Sequence, residues 1–262
     1  MPLCFGLFVI GDEILSGKRS DRHLQRVIEL LAARGLRLRW AQYLPDERSL
    51  LTEALRRSFA GPEVVFSCGG IGSTPDDHTR QAAAAALARK LVLHPEAAAL
   101  IAARCAQLGQ PDMSTAENRQ RLTMGEFPQG ARIIPNPFNG IPGFAVERHH
   151  FFPGFPAMAW PMVEAVLDSE YAGHFNAEPV AERSLLVFGT PESAVVPIML
   201  KIEQDFAPVR TFSLPSLGDG RDGRLARRHI ELGVKGPPER IDAAFEALRR
   251  AVEQSGAEFY VQ

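Results

Sequence analysis

Two carboxylates follow a cluster of glycines in the segment CGGIGSTPDDHTRQ, residues 68–81. Glycine adopts left-handed backbone conformations at little cost, so consecutive N–H groups in such a segment can approach an anion closely. Neighbouring hydroxyl side chains add further donors. The segment therefore predicts a phosphate-binding loop, called here the glycine loop (residues 69–77). Its candidate ligand contacts are Gly69, Gly70, Gly72, Ser73 and Thr74.

Asp76 and Asp77 end the glycine loop and change its expected chemistry. A carboxylate repels a bound phosphate unless a cation such as Mg²⁺ lies between them, so the pair indicates metal-assisted phosphate chemistry. A structural interpretation is also open. Pro75 fits the first turn of a helix that continues through residues 79–88, and one of the two aspartates would then cap that helix. His78 is either a donor to phosphate or a packed residue of that first turn.

The elements that must position this loop follow from the hydrophobic pattern. Strands are predicted at residues 4–10, 36–44 and 63–66, with helices between them. This β-α-β-α-β order predicts a mainly parallel sheet that binds ligands at the carboxyl ends of its strands. The loop GDEILSG, residues 11–17, ends at the same edge, where Asp12 is a second candidate cation ligand.

Composition and motif spacing exclude several classes of function. The 29 Lys and Arg residues nearly balance 31 Asp and Glu, so no net positive charge favours nucleic acid. The glycine loop lacks the Gly-Lys-Ser/Thr of a P-loop and the third glycine of a dinucleotide fingerprint. No nucleophile set is marked, and Cys68 is expected to be a buried structural residue. Without a leader or a long apolar run, we expect a cytoplasmic protein and no membrane partner.

The pattern changes near residue 176, where the remaining chain predicts a β-α-β-β-α unit. Its closing helix, residues 237–255, carries an apolar stripe that should cover a small antiparallel sheet. The glycine-rich loop at residues 215–228 carries four arginines without interleaved aromatics, so a solvated loop is expected rather than an RNA contact. These arginines are Arg221, Arg224, Arg227 and Arg228.

Several segments in order resemble one known family. GDEILSG and GGIGSTPDDHT are followed by PQGARIIPNP (residues 128–137), IPGFAVE and FFPGFPAMAWPM, so that the matches span residues 5 to 168. Together they resemble the molybdopterin-binding MoaB/Mog domain, in its CinA branch. The resemblance implies a three-layer α/β sandwich over residues 1–172, with a mainly parallel sheet. A small α+β domain is expected over residues 176–262.

The resemblance also implies a pocket for a phosphate-bearing pterin or nucleotide. Activities of related domains include molybdopterin adenylyl transfer and, in the CinA branch, metal-dependent hydrolysis of ADP-ribose. By motif position, Asp77 would hold the cation with help from Asp76 or Asp12, and Pro142 and Gly143 would shape the rim. A homodimer is expected. Many CinA proteins continue into an amidase domain, which this sequence is expected to lack.

Some residues depart from the family pattern. Met158 stands where the family's second Pro-Gly signature usually has glutamate, and Asp21 and His23 replace asparagines that follow the first loop. Asn118, on a helix predicted at residues 115–121, is a further candidate ligand contact. The expected function is a metal-dependent pyrophosphatase for nucleotide sugars of the ADP-ribose type. The alternative is a protein that binds molybdopterin or a nucleotide without turning it over.

Overall fold

The computed structural model of the chain describes residues 3–177, 179–218 and 225–261. The chain forms two compact units, Met1–Ala177 and Glu178–Gln262. No helix in the described parts of the chain combines the length and the apolarity that crossing a membrane requires.

Unit 1 is built on a six-stranded sheet with the strand order β2-β1-β3-β8-β7-β6. The first four strands in this order run parallel, and β7 and β6 add antiparallel pairs at one side. A separate antiparallel pair joins β4 to β5. The strands are β1 (Cys4–Ile10), β2 (Arg37–Leu44), β3 (Val64–Cys68), β4 (Leu91–Leu93), β5 (Glu126–Pro128), β6 (Arg132–Ile134), β7 (Gly143–Val146) and β8 (His149–Phe152).

Helices cover both faces of this sheet, because residues of β1 alternate between two cores. Leu7 and Val9 join the core that includes α2 and α7, while Phe8 and Ile10 join the core that includes α3 and α4. This arrangement confirms the predicted three-layer α/β sandwich. The helices are α1 (Asp12–Leu15), α2 (His23–Ala32), α3 (Arg48–Phe59), α4 (Thr79–Ala86), α5 (Pro95–Gln107), α6 (Ala116–Leu122) and α7 (Pro156–Glu170).

The sequence-based boundary of α4 was wrong. The helix begins at Thr79, so Pro75 lies in a turn before it and not in its first turn. His78 is the N-cap residue, and no side-chain hydrogen bond caps the helix. The helix-capping interpretation of Asp76 and Asp77 therefore does not describe this structure.

Glycines allow three chain segments to meet at the carboxyl edge of the sheet. Gly69 has φ of +111°, and a Cβ there would clash with the carbonyl oxygen of Ile10 at the end of β1. A Cβ on Gly154, which follows β8, would lie 3.4 Å from the Gly69 Cα. The ends of β1, β3 and β8 are thus drawn together where the glycine loop begins.

In its described residues, unit 2 is a four-stranded antiparallel sheet, in the order β10-β11-β9-β12, with two helices. The predicted β-α-β-β-α order is present, and the short strand β12 follows it. The predicted apolar stripe of α9, including Ile241, Phe245 and Val252, is buried. The elements are β9 (Ala181–Phe188), α8 (Glu192–Asp205), β10 (Arg210–Ser216), β11 (His229–Gly236), α9 (Pro238–Gln254) and β12 (Glu258–Val261).

The arginine-rich loop is only partly described. Arg221 and Arg224 lie outside the described residues. Arg227 donates two hydrogen bonds to the carboxylate of Glu258, both of 2.7 Å, so much of its charge is balanced within unit 2.

Candidate functional site

A cavity of about 460 Å³ opens at the carboxyl edge of the parallel strands in unit 1. All residues of the glycine loop except Pro75 line it, so the five predicted phosphate contacts lie at one cavity. The Pro142 ring and Met158 also line it. Two neighbouring segments contribute Gly11 and Glu13 after β1 and Asp46 after β2.

Asp77 organises the glycine loop from within. Its Oδ1 accepts a hydrogen bond from the Gly72 N–H at 2.9 Å, and its Oδ2 accepts one from the Thr74 N–H at 2.8 Å. The Thr74 hydroxyl also donates to Oδ2, at 2.5 Å. A Cβ on Gly72 would lie 2.6 Å from that oxygen, so glycine is needed for this close approach. Asp77 therefore uses the donors of Gly72 and Thr74 that a bound phosphate was expected to use.

Other donors of the glycine loop remain available to a ligand. Within the part of the chain that the structure describes, the N–H groups of Gly70, Ile71 and Ser73 donate no hydrogen bond. All three residues line the cavity. Gly70 has φ of +68°, which is the left-handed region that favours glycine.

Arg80 lies beneath the glycine loop and is only 2% exposed. Its Nη2 donates to the Gly72 carbonyl at 2.7 Å, and its Nη1 donates to the Thr123 carbonyl. It forms no ion pair with any described residue. Burial lowers the pKa of Arg80, against the attraction of the Asp77 and Glu126 charges. A buried guanidinium thus supports the glycine loop from below. Sequence reasoning missed this residue, since nothing in its spacing distinguishes it from a solvated arginine.

Carboxylates are crowded at one side of the cavity. Asp46 and Asp12 bond reciprocally, with the Asp12 N–H donating to Asp46 Oδ2 at 2.9 Å and the Asp46 N–H donating to Asp12 Oδ1 at 3.3 Å. Burial raises the pKa of Asp46. The hydrogen bond from the Asp12 N–H opposes this rise, and the charges of Asp12, Glu13 and Asp76 add to it. Sequence reasoning missed Asp46, although its position just after β2 places it at the expected edge.

These carboxylates do not form a metal centre made of protein ligands alone. Among the described residues, no group of three or more His, Cys, Asp or Glu side chains is arranged to hold a metal ion. However, Mg²⁺ at phosphate sites is commonly held by one or two carboxylates together with the phosphates of the ligand. Glu13 and Asp76 line the cavity and fit that arrangement. Asp77 fits it less well, because its Oδ2 already accepts two hydrogen bonds.

Three predicted site residues do not line the cavity. Asp12 contributes through its bonds to Asp46 and is not itself a lining residue. Gly143 is buried in β7, where a Cβ would clash with the Phe151 carbonyl oxygen. Asn118 is 2% exposed, and its amide donates to the Gln110 and Asp112 carbonyls. The assignments of Gly143 to the rim and of Asn118 to the ligand are therefore corrected to structural roles.

The positions of His78 and Cys68 support structural roles rather than catalytic ones. His78 is half-buried and is not among the residues that line the cavity. Cys68 is buried at the end of β3, and burial raises the pKa of its thiol, so the nucleophilic thiolate is disfavoured as predicted.

Comparison with known proteins places this cavity in a family. Residues 6–172 match the family described as "Probable molybdopterin binding domain". A CinA-like protein of Citrifermentans bemidjiense is 33% identical over 77% of this chain and 48% of its own length. The chain thus spans about half the length of that relative. A protein of Pyrobaculum calidifontis is 28% identical over 99% of this chain and 98% of its own length.

A solved structure supports the same assignment. The CinA protein of Thermoplasma acidophilum, described as having unknown function, matches with a TM-score of 0.56 and 26% identity. The match covers 64% of this chain and 97% of that chain. Since the family match covers residues 6–172, which include the whole cavity, the chain belongs to the family of probable molybdopterin-binding domains, in its CinA-like branch.

Proposed function

We propose that unit 1 binds a phosphate-bearing nucleotide and cleaves the phosphoanhydride bond of nucleotide sugars of the ADP-ribose type. One observation carries this proposal. The glycine loop and the carboxylates Glu13, Asp46 and Asp76 line the same cavity. Unpaired N–H groups favour phosphate, while carboxylates at the same cavity favour a divalent cation that the phosphates also bind.

Each of the site residues has its own role in the proposed reaction. The N–H groups of Gly70 and Ser73 orient the phosphates, and Arg80 holds the loop in place from below. Asp46 lines the cavity, and burial raises its pKa, which suits a general base. We therefore assign Asp46 as the acceptor of the proton of the attacking water. The water oxygen bonds to phosphorus as the anhydride P–O bond breaks. A divalent cation held by Asp76 and Glu13 would neutralise charge on the phosphates.

The first experiment measures AMP release from ADP-ribose by purified protein, with Mg²⁺ or with a chelator. We expect Asp46→Asn to lower the rate by about a hundredfold or more, because the proton acceptor is lost. Asp242→Asn is the control, since that carboxylate is 86% exposed in unit 2. Equal rates for the two variants would remove Asp46 from the mechanism.

Met158 favours a second candidate function, which is binding of molybdopterin or a nucleotide without turnover. Met158 lines the cavity, and its Sδ lies 3.7 Å from the Asn139 Nδ2. A thioether cannot transfer protons, whereas the glutamate usual at this position in the resembled family can. If this difference has removed turnover, purified protein should release no AMP, and Met158→Glu should gain activity. Extraction of a tightly bound pterin or nucleotide from purified protein would support this candidate.

A further inference from the structure

A second cavity, of about 370 Å³, lies beside the first in unit 1. It is lined by the segment from Arg19 to His23, except Asp21, and by residues at the ends of β1 and β8. The two cavities have five lining residues in common, which are Ile10, Glu13, Arg19, Gly154 and Phe155. A ligand that fills the first cavity therefore has an adjoining space into which it can extend.

The second cavity has an excess of positive charge. Arg19 and Arg22 line it, and neither forms an ion pair with any residue in the described ranges. The Arg22 guanidinium lies over the Trp160 ring, 5.5 Å from its centroid, and this stacking limits where the charge can lie. Glu13 is the single carboxylate among the described lining residues. The Ser20 hydroxyl adds a neutral donor.

His23 contributes a neutral acceptor at the wall of the second cavity. It lines the cavity and is only 4% exposed. Its Nε2 lies 2.9 Å from the Gly154 carbonyl oxygen, which can only accept, so Nε2 carries a hydrogen. Its Nδ1 has no hydrogen-bond partner among the described residues. With its hydrogen on Nε2, the ring has an unprotonated Nδ1, which can accept a hydrogen bond from a ligand hydroxyl but does not bind an anion.

We propose that this second cavity, the arginine subsite (Arg19, Ser20 and Arg22), binds an additional anionic group of the ligand. The group is a phosphate or a carboxylate, since arginine guanidinium groups bind both through paired N–H donors. The inference rests on the proposed function and narrows its substrate class. The substrate is a nucleotide sugar diphosphate that carries a further phosphate or carboxylate at one end, beyond the two phosphates at the glycine loop.

Three related probes test this proposal by calorimetry. They are ADP-ribose, its 2′-phosphate, which carries the extra group at the adenosine end, and its 1″-phosphate, which carries it at the distal ribose. We expect one of the two phosphorylated probes to bind wild-type protein about tenfold more tightly than ADP-ribose. The probe that gains affinity identifies which end of the ligand lies in the arginine subsite.

Variants then assign the gain to the subsite. Arg22→Ala should lose the tenfold gain while keeping the affinity for ADP-ribose within about twofold, because Arg22 lines the second cavity and not the first. Arg26→Ala is a matched control, because Arg26 also lies over Trp160, at 5.8 Å, but pairs with Glu29 and Glu164. It should keep the gain. Thermal unfolding of each variant verifies that the fold is intact.

The contradicting outcomes are distinct. If ADP-ribose binds but neither phosphorylated probe binds more tightly, or if Arg22→Ala keeps the gain, the arginine subsite is wrong and the proposed function stands. If wild-type protein binds none of the three probes, the proposed function fails and the subsite proposal fails with it.

Discussion

At the scale of single residues, the two adjacent aspartates of the glycine loop have different roles. Asp77 accepts three hydrogen bonds from its own loop, whereas Asp76 is exposed and lines the cavity. We expect Asp77→Asn to lower the free energy of unfolding by about 1 to 2 kcal/mol, because a charged acceptor is replaced by a weaker one. Asp76→Asn should leave stability within about 0.5 kcal/mol and still reduce AMP release. Urea titration of both variants measures the difference, and equal stabilities would contradict it.

Arg80 provides a second prediction at this scale. Its guanidinium bonds to the carbonyls of Gly72 and Thr123, so Arg80→Met leaves both without this buried donor. We expect a loss of stability of about 1 to 3 kcal/mol and weaker binding of ADP-ribose. Arg80→Lys retains the charge and should recover part of the binding. Calorimetry at a temperature where both variants are folded makes the comparison. Unchanged affinity in folded Arg80→Met would show that the buried charge does not support the ligand site.

Sequence reasoning identified the glycine loop but not the hydrogen bonds that Asp77 accepts within it. Glycine spacing and adjacent hydroxyls are local signals, and they located the cavity wall. The distribution of Asp77's hydrogen bonds depends on how the loop closes on itself, which the order of residues does not show. Asp46 could have been found, because the argument that placed Asp12 at the carboxyl edge of the sheet applies equally to the residue just after β2.

At the scale of elements, close contact between β1 and β3 depends on glycine. A Cβ on Gly69 would clash with the backbone of Ile10, and φ there is +111°. Gly69→Ala should therefore destabilise the protein by about 2 kcal/mol or more. Gly17→Ala is the matched control, since φ is +72° there but no atom lies within 4 Å of an added Cβ. It should cost about 1 kcal/mol, from backbone conformation alone. Equal losses of stability in the two variants, measured by chemical denaturation, would contradict the role given to the contact between Gly69 and Ile10.

Strand β8 gives unit 1 a dependence on pH. Burial lowers the pKa of His149 from 6.5 to about 3, and the charges of His150 and Arg148 add to this effect. His149 therefore binds a proton near pH 6.5 in the unfolded chain but only near pH 3 in the folded protein. The stability that His149 contributes is complete above pH 6.5 and is lost as the pH falls from 6.5 towards about 3.

The expected slope for such a group is up to about 1.4 kcal/mol per pH unit. His149→Gln should reduce the slope of the unfolding free energy against pH between pH 6.5 and pH 5. Urea unfolding at several pH values measures this slope. Glu170 does not interfere in that range. Burial opposes its ionisation, but hydrogen bonds from His150 and Arg132 dominate and lower its pKa to about 2, so its contribution is lost only below pH 4.5. An unchanged slope in the variant would contradict the assignment.

The main helices and strands could be predicted because their apolar periodicity is strong. The start of α4 could not, since Pro75 and two aspartates form a good helix start that the closed glycine loop overrides. Helical spacing of Leu24, Val27, Ile28 and Leu31 predicts the buried face of α2. In the structure Ile28 is 40% exposed, whereas Leu30 is buried. Periodicity located that helix but did not fix every residue of its buried face.

At the scale of the whole molecule, the candidate site belongs entirely to unit 1. All residues that line the two cavities lie between Val9 and Met158, and unit 1 has two cores of its own. A protein of residues 1–177 should therefore fold and bind ADP-ribose within about threefold of the full chain. Calorimetry on both proteins tests this. A folded fragment without affinity would show that unit 2 is required for binding. The homodimer stays a prediction, which light scattering can test.

The most direct test of the central claim is the initial rate of AMP release from ADP-ribose by the full chain. The account predicts release with Mg²⁺, none with chelator, and a rate for Asp46→Asn lower by about a hundredfold or more. Absence of release from folded wild-type protein with Mg²⁺, or an undiminished rate in Asp46→Asn, would contradict it.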